Sequence, residues 1–147
     1  MSLVPTGRRA RFSSTAVIMA ARAESMPLTA RRGEPADGDP IEVETTVEAM
    51  PSVLWDAVVL PAGAPRMAED GQVLEFVRDQ YRHCKPILAL GPGKQLLDAC
   101  GIDTTGQGGE PDPALIIASN ASAGADDFVA AIAKHRHFAR ETDPPRV

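Results

Sequence analysis

The cysteines and histidines are the side chains of this sequence with the most direct chemical potential, because thiolates and imidazoles act as nucleophiles, bases and metal ligands. Cys84 lies between His83 and Lys85, and basic neighbours can lower the pKa of a thiol and so favour the reactive thiolate. The same position also suits a small buried residue at a corner between a helix and a strand, and the sequence favours this packing role. Cys100 falls on the apolar face of a helical segment and is predicted to belong to the core.

The segment His135-Arg136-His137-Phe138 is the second candidate. Two histidines two positions apart diverge by roughly 200° around a helix, so they cannot hold one metal ion from one face. The two cysteines also lack the spacing of a zinc site, and we predict no metal site. The four side chains combine apolar area with charged hydrogen-bond donors, which suits an interface with a neighbouring domain or subunit. A solvated helix end whose bases match the helix dipole is the equally open alternative.

The elements that must position these residues follow an alternating pattern of strands and helices. Apolar runs rich in β-branched residues are separated by segments with helical periodicity, which predicts a mostly parallel sheet covered by helices. Runs that are apolar at successive positions indicate strands buried on both faces, whereas the run from Ile41 alternates apolar and acidic residues and indicates an edge strand. The predicted strands are Thr15–Met19, Ile41–Thr46, Ala57–Pro61, Pro86–Leu90 and Ala114–Ala118.

Helices and loops follow from periodicity and composition. Apolar residues recur on one face of the helical segments, and the last of them begins with acids and ends with bases, which suits the helix dipole. The loops are rich in Gly, Pro and charged residues. Trp55, at the entry to a buried strand, is predicted to cover the core. The predicted helices are Glu69–Arg82, Lys94–Cys100 and Asp126–Phe138, and the predicted loops are Arg31–Pro40 and Thr104–Pro113.

Length and charge bound the classes of function. The chain has 147 residues, enough for one domain with a core. A formal net charge of -5 gives no electrostatic footprint for nucleic acid, and no run approaches the ~20 apolar residues that span a bilayer. Two cysteines without a disulfide framework favour a cytoplasmic setting. The arginine-rich, acid-free start from Met1 to Ala23 leaves a targeting signal as the alternative.

Three stretches of the sequence together resemble the C-terminal domain of large-subunit haem catalases. The resemblance runs from Ala36 to Val147, and the His-Arg-His-aromatic ending after a helix makes it specific. The first two stretches alone would fit any member of the class I glutamine amidotransferase-like superfamily, which includes intracellular proteases and deglycases. The stretches are Gly38–Val43 running on to Pro51–Pro61, then Asp70–Gly91, and finally Ile132–Pro145.

The resemblance implies a flavodoxin-like fold, a three-layer α/β sandwich with a mostly parallel sheet of the class I glutamine amidotransferase-like kind. Residues 37–147 would form this domain, after a divergent or disordered segment 1–36. Only about twenty residues separate Met19 from Pro40, fewer than the roughly 30 that a βαβ unit needs. The first βαβ unit is therefore predicted to be shortened. An uncovered apolar patch would follow from this and would favour a homo-oligomer.

The related hydrolases present a cysteine nucleophile on the sharp turn between a strand and a helix. Matching the strand Pro86–Leu90 to theirs places Gly91 at the nucleophile position and Pro92 at the histidine that often follows. Glycine has no side chain that can attack a carbonyl, so no elbow catalysis is predicted. The run from Gly91 to Lys94 also lacks the longer glycine-bounded segment of a phosphate-binding P-loop, and a tight turn is expected there.

The resemblance implies a role beside a haem enzyme that converts hydrogen peroxide to water and oxygen. In such tetrameric catalases the body carries the haem, whereas this domain would be a silent accessory unit without a cofactor of its own. Its expected partners are the catalase body or other subunits. Two alternatives stay open: a stand-alone binding or chaperone-like module, and a small hydrolase or deglycase that uses Cys84. Whether the chain is itself an enzyme is left open, and alone it is predicted to be inactive.

Overall fold

The computed structural model describes residues 19–21, 31–33, 41–43, 47, 49–105 and 109–142. Most of the segment 1–36 lies outside the described residues. The predicted strand from Thr15 is described only at its last residue, Met19. In the part of the chain that the structure describes, no helix is long and apolar enough to cross a bilayer.

The described residues contain six strands in two sheets. In chain order they are β1 (Met19–Ala21), β2 (Arg31–Gly33), β3 (Ile41–Val43), β4 (Ala57–Leu60), β5 (Ile87–Leu90) and β6 (Leu115–Ala118). The larger sheet has the order β1-β4-β5-β6. Strands β4, β5 and β6 run parallel, and β1 joins β4 antiparallel. The prediction of an α/β fold with a mostly parallel sheet is confirmed.

Strand β5 lies in the middle of the parallel part of the sheet. All four of its residues are buried, as expected of a strand that is apolar at every position and covered on both faces. Its register pairs Leu88 with Val59 of β4 and with Ile116 of β6. Strand β6 has no second partner among the described strands, and this explains why Ile117 is exposed although the whole run is apolar.

The prediction of a surface loop from Arg31 to Pro40 is wrong at its first residues. Arg31–Gly33 forms strand β2, which pairs antiparallel with β3 in a separate two-stranded sheet. The registered partners are Arg31 with Val43 and Gly33 with Ile41. A polar run with glycine carries no strand propensity, so only the pairing with β3 makes it a strand. Residues 34–40 lie outside the described residues.

Three helices accompany the described strands: α1 (Gly71–Arg82), α2 (Lys94–Ala99) and α3 (Ala121–Ala133). Helix α1 starts where the carboxylate of Asp70 accepts hydrogen bonds from the backbone nitrogens of Gln72, at 2.9 Å, and Val73, at 3.3 Å. Such a cap satisfies backbone donors that the first turn leaves free. The periodic segments predicted as the first two helices are confirmed to within about two residues.

The last predicted helix is misplaced at both ends. Helix α3 begins at Ala121, because the side chain of Asn120 accepts a hydrogen bond from the backbone nitrogen of Ala123 at 3.0 Å. It ends at Ala133, and His135 has a φ of 64°, in the left-handed region. Residues 134–137 are therefore not helical, contrary to the prediction, and Phe138 begins a separate 3-10 turn. A left-handed residue ends a helix irrespective of the apolar pattern that continues beyond it.

Helices cover both faces of the larger sheet. On one face α1 and α2 pack against alternate strand residues, and Trp55 joins this cluster as predicted. On the other face Phe128 of α3 packs against Leu88 and Leu90. A fully buried aliphatic or aromatic side chain contributes about 1.5–3 kcal/mol, so the two clusters supply most of the stability. The strand residues of the first cluster are Val58, Leu60, Ile87, Ala89 and Leu115.

Candidate functional site

The corner after β5 is the place where the predicted resemblance to amidotransferase-like hydrolases puts the nucleophile position. Gly91 follows the last residue of β5 with a φ of 51°, and Gly91–Gly93 forms a single 3-10 turn that leads directly into α2. A Cβ atom built on Gly91 would have the carbonyl oxygen of Ser119 as its nearest neighbour, at 3.8 Å. That distance is an ordinary contact, so a Cβ atom would fit at this position. The left-handed backbone is what favours glycine there.

Gly93, two residues on, is constrained by space instead. A Cβ atom at this position would lie 2.5 Å from the carbonyl oxygen of Leu60 and 2.9 Å from that of Pro61. The turn thus packs directly against the end of β4, and only glycine permits this approach. Of the side chains beside it, Asn120 caps α3 through its Oδ1 atom and donates from Nδ2 to the Ser119 hydroxyl at 3.3 Å. This carboxyl edge, where β4, β5 and β6 end, presents no acid, base or thiol from the turn itself.

The opposite end of the sheet, where β4, β5 and β6 begin, is called the amino edge below. Lys85 lies there, only 3% exposed, directly before β5. Its Nζ atom donates to the carbonyl of Val53 at 2.7 Å and to the carbonyl of Trp55. Burial lowers the pKa of Lys85, the positive charge of Arg136 lowers it further, and Asp56 acts in the opposite direction.

Arg140 reaches the same place from the end of the chain. Its guanidinium pairs with the carboxylate of Asp112 through Nε and Nη2, the latter 3.2 Å from Oδ1. Its Nη1 atom donates to the carbonyl of Lys85 at 2.6 Å. The group also stacks on Tyr81, 4.6 Å from the ring centroid. Both charged side chains are almost fully buried, so the pair persists because its hydrogen bonds offset the cost of desolvation.

His137 fastens the segment between α3 and Arg140. Its backbone nitrogen donates to the carbonyl of Cys84 at 2.8 Å. Its Nε2 atom lies 3.0 Å from the carbonyl of Ala131, and since a carbonyl only accepts, Nε2 carries the proton. Gln80 completes the set by donating from Nε2 to the carbonyl of Ser52 at 3.0 Å. We call these side chains the amino-edge network: Gln80, Lys85, Asp112, His137 and Arg140.

The structure separates the members of the segment His135-Arg136-His137-Phe138. His135 and Phe138 face solvent, Arg136 is half-buried and His137 is buried. Residues 135–137 are not helical and Phe138 begins a 3-10 turn, so the helical angle between the two histidines does not describe this segment. The interface role of the four residues stays a prediction. We call this segment, residues 135–138, the strap; it is attached to the domain through His137, and the side chain of Phe138 is 61% exposed.

Cys84 lies at the amino edge and not at the carboxyl edge, and its carbonyl accepts the hydrogen bond from the backbone nitrogen of His137. It is buried, with a φ of 59°, and its Sγ atom donates to the carbonyl of Arg82 at 3.7 Å. Burial raises the pKa of the Cys84 thiol, Glu141 raises it further, and the nearby Arg140 and Arg136 lower it only in part. The thiol is therefore held in its protonated, unreactive form. Cys100 is deeper still, and burial raises its pKa to about 11.

A comparison with protein families indicates which kind of domain has a corner without a reactive side chain at Gly91 and a C-terminal segment packed against the amino edge. The model of the C-terminal domain found in long catalases matches residues 14–142. The chain belongs to this family. The resemblance to large catalases, predicted from the three stretches, is thereby confirmed.

Individual relatives agree with the family match. Catalase HPII of Mycobacterium avium is 37% identical over 120 residues, which are 72% of this chain and 17% of that protein. Catalase HPII of Pseudomonas putida is 32% identical over 108 residues, 71% of this chain and 14% of that protein. Catalase-2 of Bacillus subtilis is 33% identical over 106 residues, 70% of this chain and 14% of that protein. The chain thus spans about one-sixth of the length of the curated relatives it matches, or less.

Four of the described side chains that could ligate haem iron, Tyr81, Cys84, Cys100 and His137, are not available for it in this catalase C-terminal domain. An axial ligand for haem iron is a His, Cys, Met or Tyr side chain that opens into a cavity. Tyr81 is buried under the guanidinium of Arg140, and the Nε2 atom of His137 is taken by a backbone carbonyl. Both cysteines are buried with carbonyl partners. Nor do the described residues place three His, Cys, Asp or Glu side chains together as a metal site.

Sequence reasoning missed the partners that hold the tail of this catalase C-terminal domain. Asp112 and Arg140 are 28 positions apart, and each sits in a segment where an acid or a base looks like ordinary surface charge. Lys85 was noted only as a neighbour of Cys84. The one available signal was a lysine directly before a fully apolar strand, because a charged side chain in that position needs buried partners.

Proposed function

We propose that this chain is a non-catalytic accessory domain of a large-subunit haem catalase. The parent reaction converts two molecules of hydrogen peroxide into two of water and one of oxygen, with haem held elsewhere in the enzyme. The observation that carries the proposal is the corner at Gly91, where a member of this family has no side chain with which to do chemistry. The domain then contributes assembly or stability, and the haem-bearing body contributes turnover.

The finer fold assignment belongs to the same proposal. Three parallel strands with helices on both faces support a flavodoxin-like, class I glutamine amidotransferase-like arrangement with a shortened first unit. We take residues 37–147 as the domain. Its partners are the catalase body or further subunits, including other copies of the chain, and the setting is the cytoplasm. A negative net charge of -5 argues against nucleic acid as a partner.

Two other functions compete with this proposal. A hydrolase or deglycase that uses Cys84 would need a reachable thiolate, and that thiol is buried at the amino edge with a raised pKa. Activity on glyoxal or peptides that is lost in Cys84→Ser would favour this function over ours. A stand-alone binding or chaperone-like module has the same folded surfaces, and only the presence of a catalase body separates it from an accessory domain.

The test has two arms. In the first, the purified full chain is assayed for peroxide consumption and for absorbance in the Soret region after incubation with haem, and we expect neither. In the second, the full chain replaces the matched C-terminal segment of Catalase HPII of Mycobacterium avium. We expect this chimera to assemble and to consume peroxide with a higher thermal midpoint than the same enzyme without the segment. Stoichiometric haem uptake by the chain alone, or a chimera no better than the truncated enzyme, would refute the proposal.

A further inference from the structure

Large apolar side chains that face solvent are concentrated at the amino edge. Val53 and Leu54 are 43% and 42% exposed, and Phe138 is 61% exposed. All three lie in short 3-10 turns, Ser52–Leu54 before β4 and Phe138–Thr142 at the end of the strap. The remaining exposed large apolar side chains of the described residues are Ile117 on β6 and Val129 on α3. Single exposed apolar residues are common on protein surfaces, so exposure alone does not make these three residues a binding surface. The contacts that fix their positions are the further evidence.

One buried residue joins the two turns. The Nζ atom of Lys85 donates to the carbonyl of Val53, and the carbonyl of Lys85 accepts from Arg140, two residues after Phe138. Lys85 thus holds the first turn through its side chain and the second turn through its backbone carbonyl. An ammonium group taken out of water is costly unless it is hydrogen-bonded, and here its partners are the carbonyls of an exposed turn. Holding both turns in fixed positions at this cost points to a role for the turns in contact with another part of the protein.

We propose that Val53, Leu54 and Phe138 form one docking surface, held in shape by Lys85 as a positioning residue and covered by the remainder of a long catalase chain. The inference rests on the accessory function proposed above. A surface whose turns are already ordered loses little entropy on association, which raises affinity without further contacts. The exposed apolar side chains supply the contact, and the amino-edge network beneath them supplies the rigidity.

The size of the surface favours a tethered partner over a second free copy. A stable complex between separate molecules buries about 800 Å² on each side, more than three side chains provide. The curated relatives carry more than four-fifths of their length outside the matched segment, since it covers 14–17% of them. A partner in the same chain acts at a high effective concentration, so a small contact suffices.

The experiment compares backbone hydrogen exchange in the free full chain and in the chimera with Catalase HPII of Mycobacterium avium. We expect the amides of both turns to exchange about tenfold more slowly in the chimera, because docking suppresses their local opening. Leu54→Asp and Phe138→Asp should each remove this slowing in both turns, since the two turns form one surface. Val129→Asp is the matched control: it adds the same charge at a site that is 64% exposed on α3, and it should leave the slowing intact.

Lys85→Met tests the positioning role. It should speed exchange of the first turn in the free chain and also abolish the difference between free chain and chimera in that turn. A purely structural role would change the free chain and leave the ratio of the two rates unaltered, and that result would remove Lys85 from the proposal.

Other outcomes separate the inference from the function on which it rests. A chimera that assembles and consumes peroxide, with equal exchange of both turns in the free and assembled forms, overturns the docking surface and leaves the accessory function in place. A chimera that does not assemble overturns both. A dimer of the free chain that Phe138→Asp dissociates and Val129→Asp does not, measured by light scattering, overturns the catalase body as the occupant in favour of a second copy.

Discussion

The two edges of the parallel strands carry opposite kinds of residue. At the carboxyl edge the turn after β5 consists of glycine, proline and glycine, and its one spacious position has no side chain. At the amino edge a lysine, an arginine and an aspartate are buried together, and each of them has hydrogen-bond partners. In open α/β sheets ligands usually bind at the carboxyl edge. In this domain the buried charged groups lie at the amino edge instead, which agrees with the accessory role proposed above.

Breaking the buried ion pair should have the largest effect. Asp112→Ala leaves the guanidinium of Arg140 buried without its counter-charge and also removes the acceptor for the backbone nitrogen of Ala114. We expect the free energy of unfolding in urea to fall by about 4 kcal/mol. The exposed neighbour Glu110 is the control, and Glu110→Ala should change it by less than about 0.5 kcal/mol. A loss in Asp112→Ala no larger than that in Glu110→Ala would mean that the pair of Asp112 with Arg140 contributes nothing measurable to stability.

The second largest effect should come from the carboxyl-edge turn, where alanine in place of each of its two glycines should lower the free energy of unfolding by different amounts. Gly93→Ala places a methyl group 2.5 Å from the Leu60 carbonyl, and we expect a loss of about 3 kcal/mol in the free energy of unfolding. Gly91→Ala meets no close neighbour and only adds the strain of a left-handed φ, about 1 kcal/mol. Urea titrations of both variants measure the difference. If Gly91→Ala were the more damaging of the two, the corner would not have the open space that its backbone indicates.

The buried thiol of Cys100 predicts an alkaline loss of stability. Its pKa is raised to about 11 in the folded chain from an ordinary value of 9.0. Between pH 9 and 11 the folded chain keeps a proton that the unfolded chain has lost, so this thiol makes the free energy of unfolding fall as pH rises. The fall due to Cys100 should reach about 2 kcal/mol at pH 11. Cys100→Ala is destabilised at pH 8 by a smaller core, but the gap to the parent chain should close by that amount at pH 11.

The smallest effects belong to the exposed side chains. Phe138→Asp and Val129→Asp each change a solvent-facing residue in the free chain, so both should alter the free energy of unfolding by less than about 0.5 kcal/mol. Because the two variants should be equally stable in the free chain, a difference between them in the chimera can be assigned to docking. A large loss in Phe138→Asp alone would make this ring part of the core and would remove it from the proposed surface.

The sequence predicts the parts of this fold that depend on local pattern. Continuous apolar runs located β4 and β5, and a single apolar face located α1. The boundaries of α3 were missed because its first turn is made of alanine, serine and glycine without an apolar face, and because His135 adopts a left-handed backbone that no periodicity reports. Strand β2 depends on a partner strand, since its own residues have no strand preference.

The candidate site also has one part that the sequence predicts and one part that it does not. Gly91 could be placed at a corner from the sequence, because an apolar strand, a glycine-proline-glycine turn and a helical segment follow one another there. The amino-edge network could not, because it joins residues that are 28, 32 and 55 positions apart and depends on how the tail returns to the start of β5. Hydrogen bonds over such distances are properties of the folded chain, and the lysine before an apolar strand is the one sign of them in the local pattern.

The open space at Gly91 also bears on the history of the position. Codons for glycine can differ by one base from those for serine and for cysteine, so a hydroxyl or a thiol can appear at this corner in a single mutational step. Gly93 offers no such route, since the carbonyl groups facing it leave no room for a larger residue. Descendants of this chain could therefore acquire a reactive group at one residue of the turn, while purifying selection would keep the other as it is.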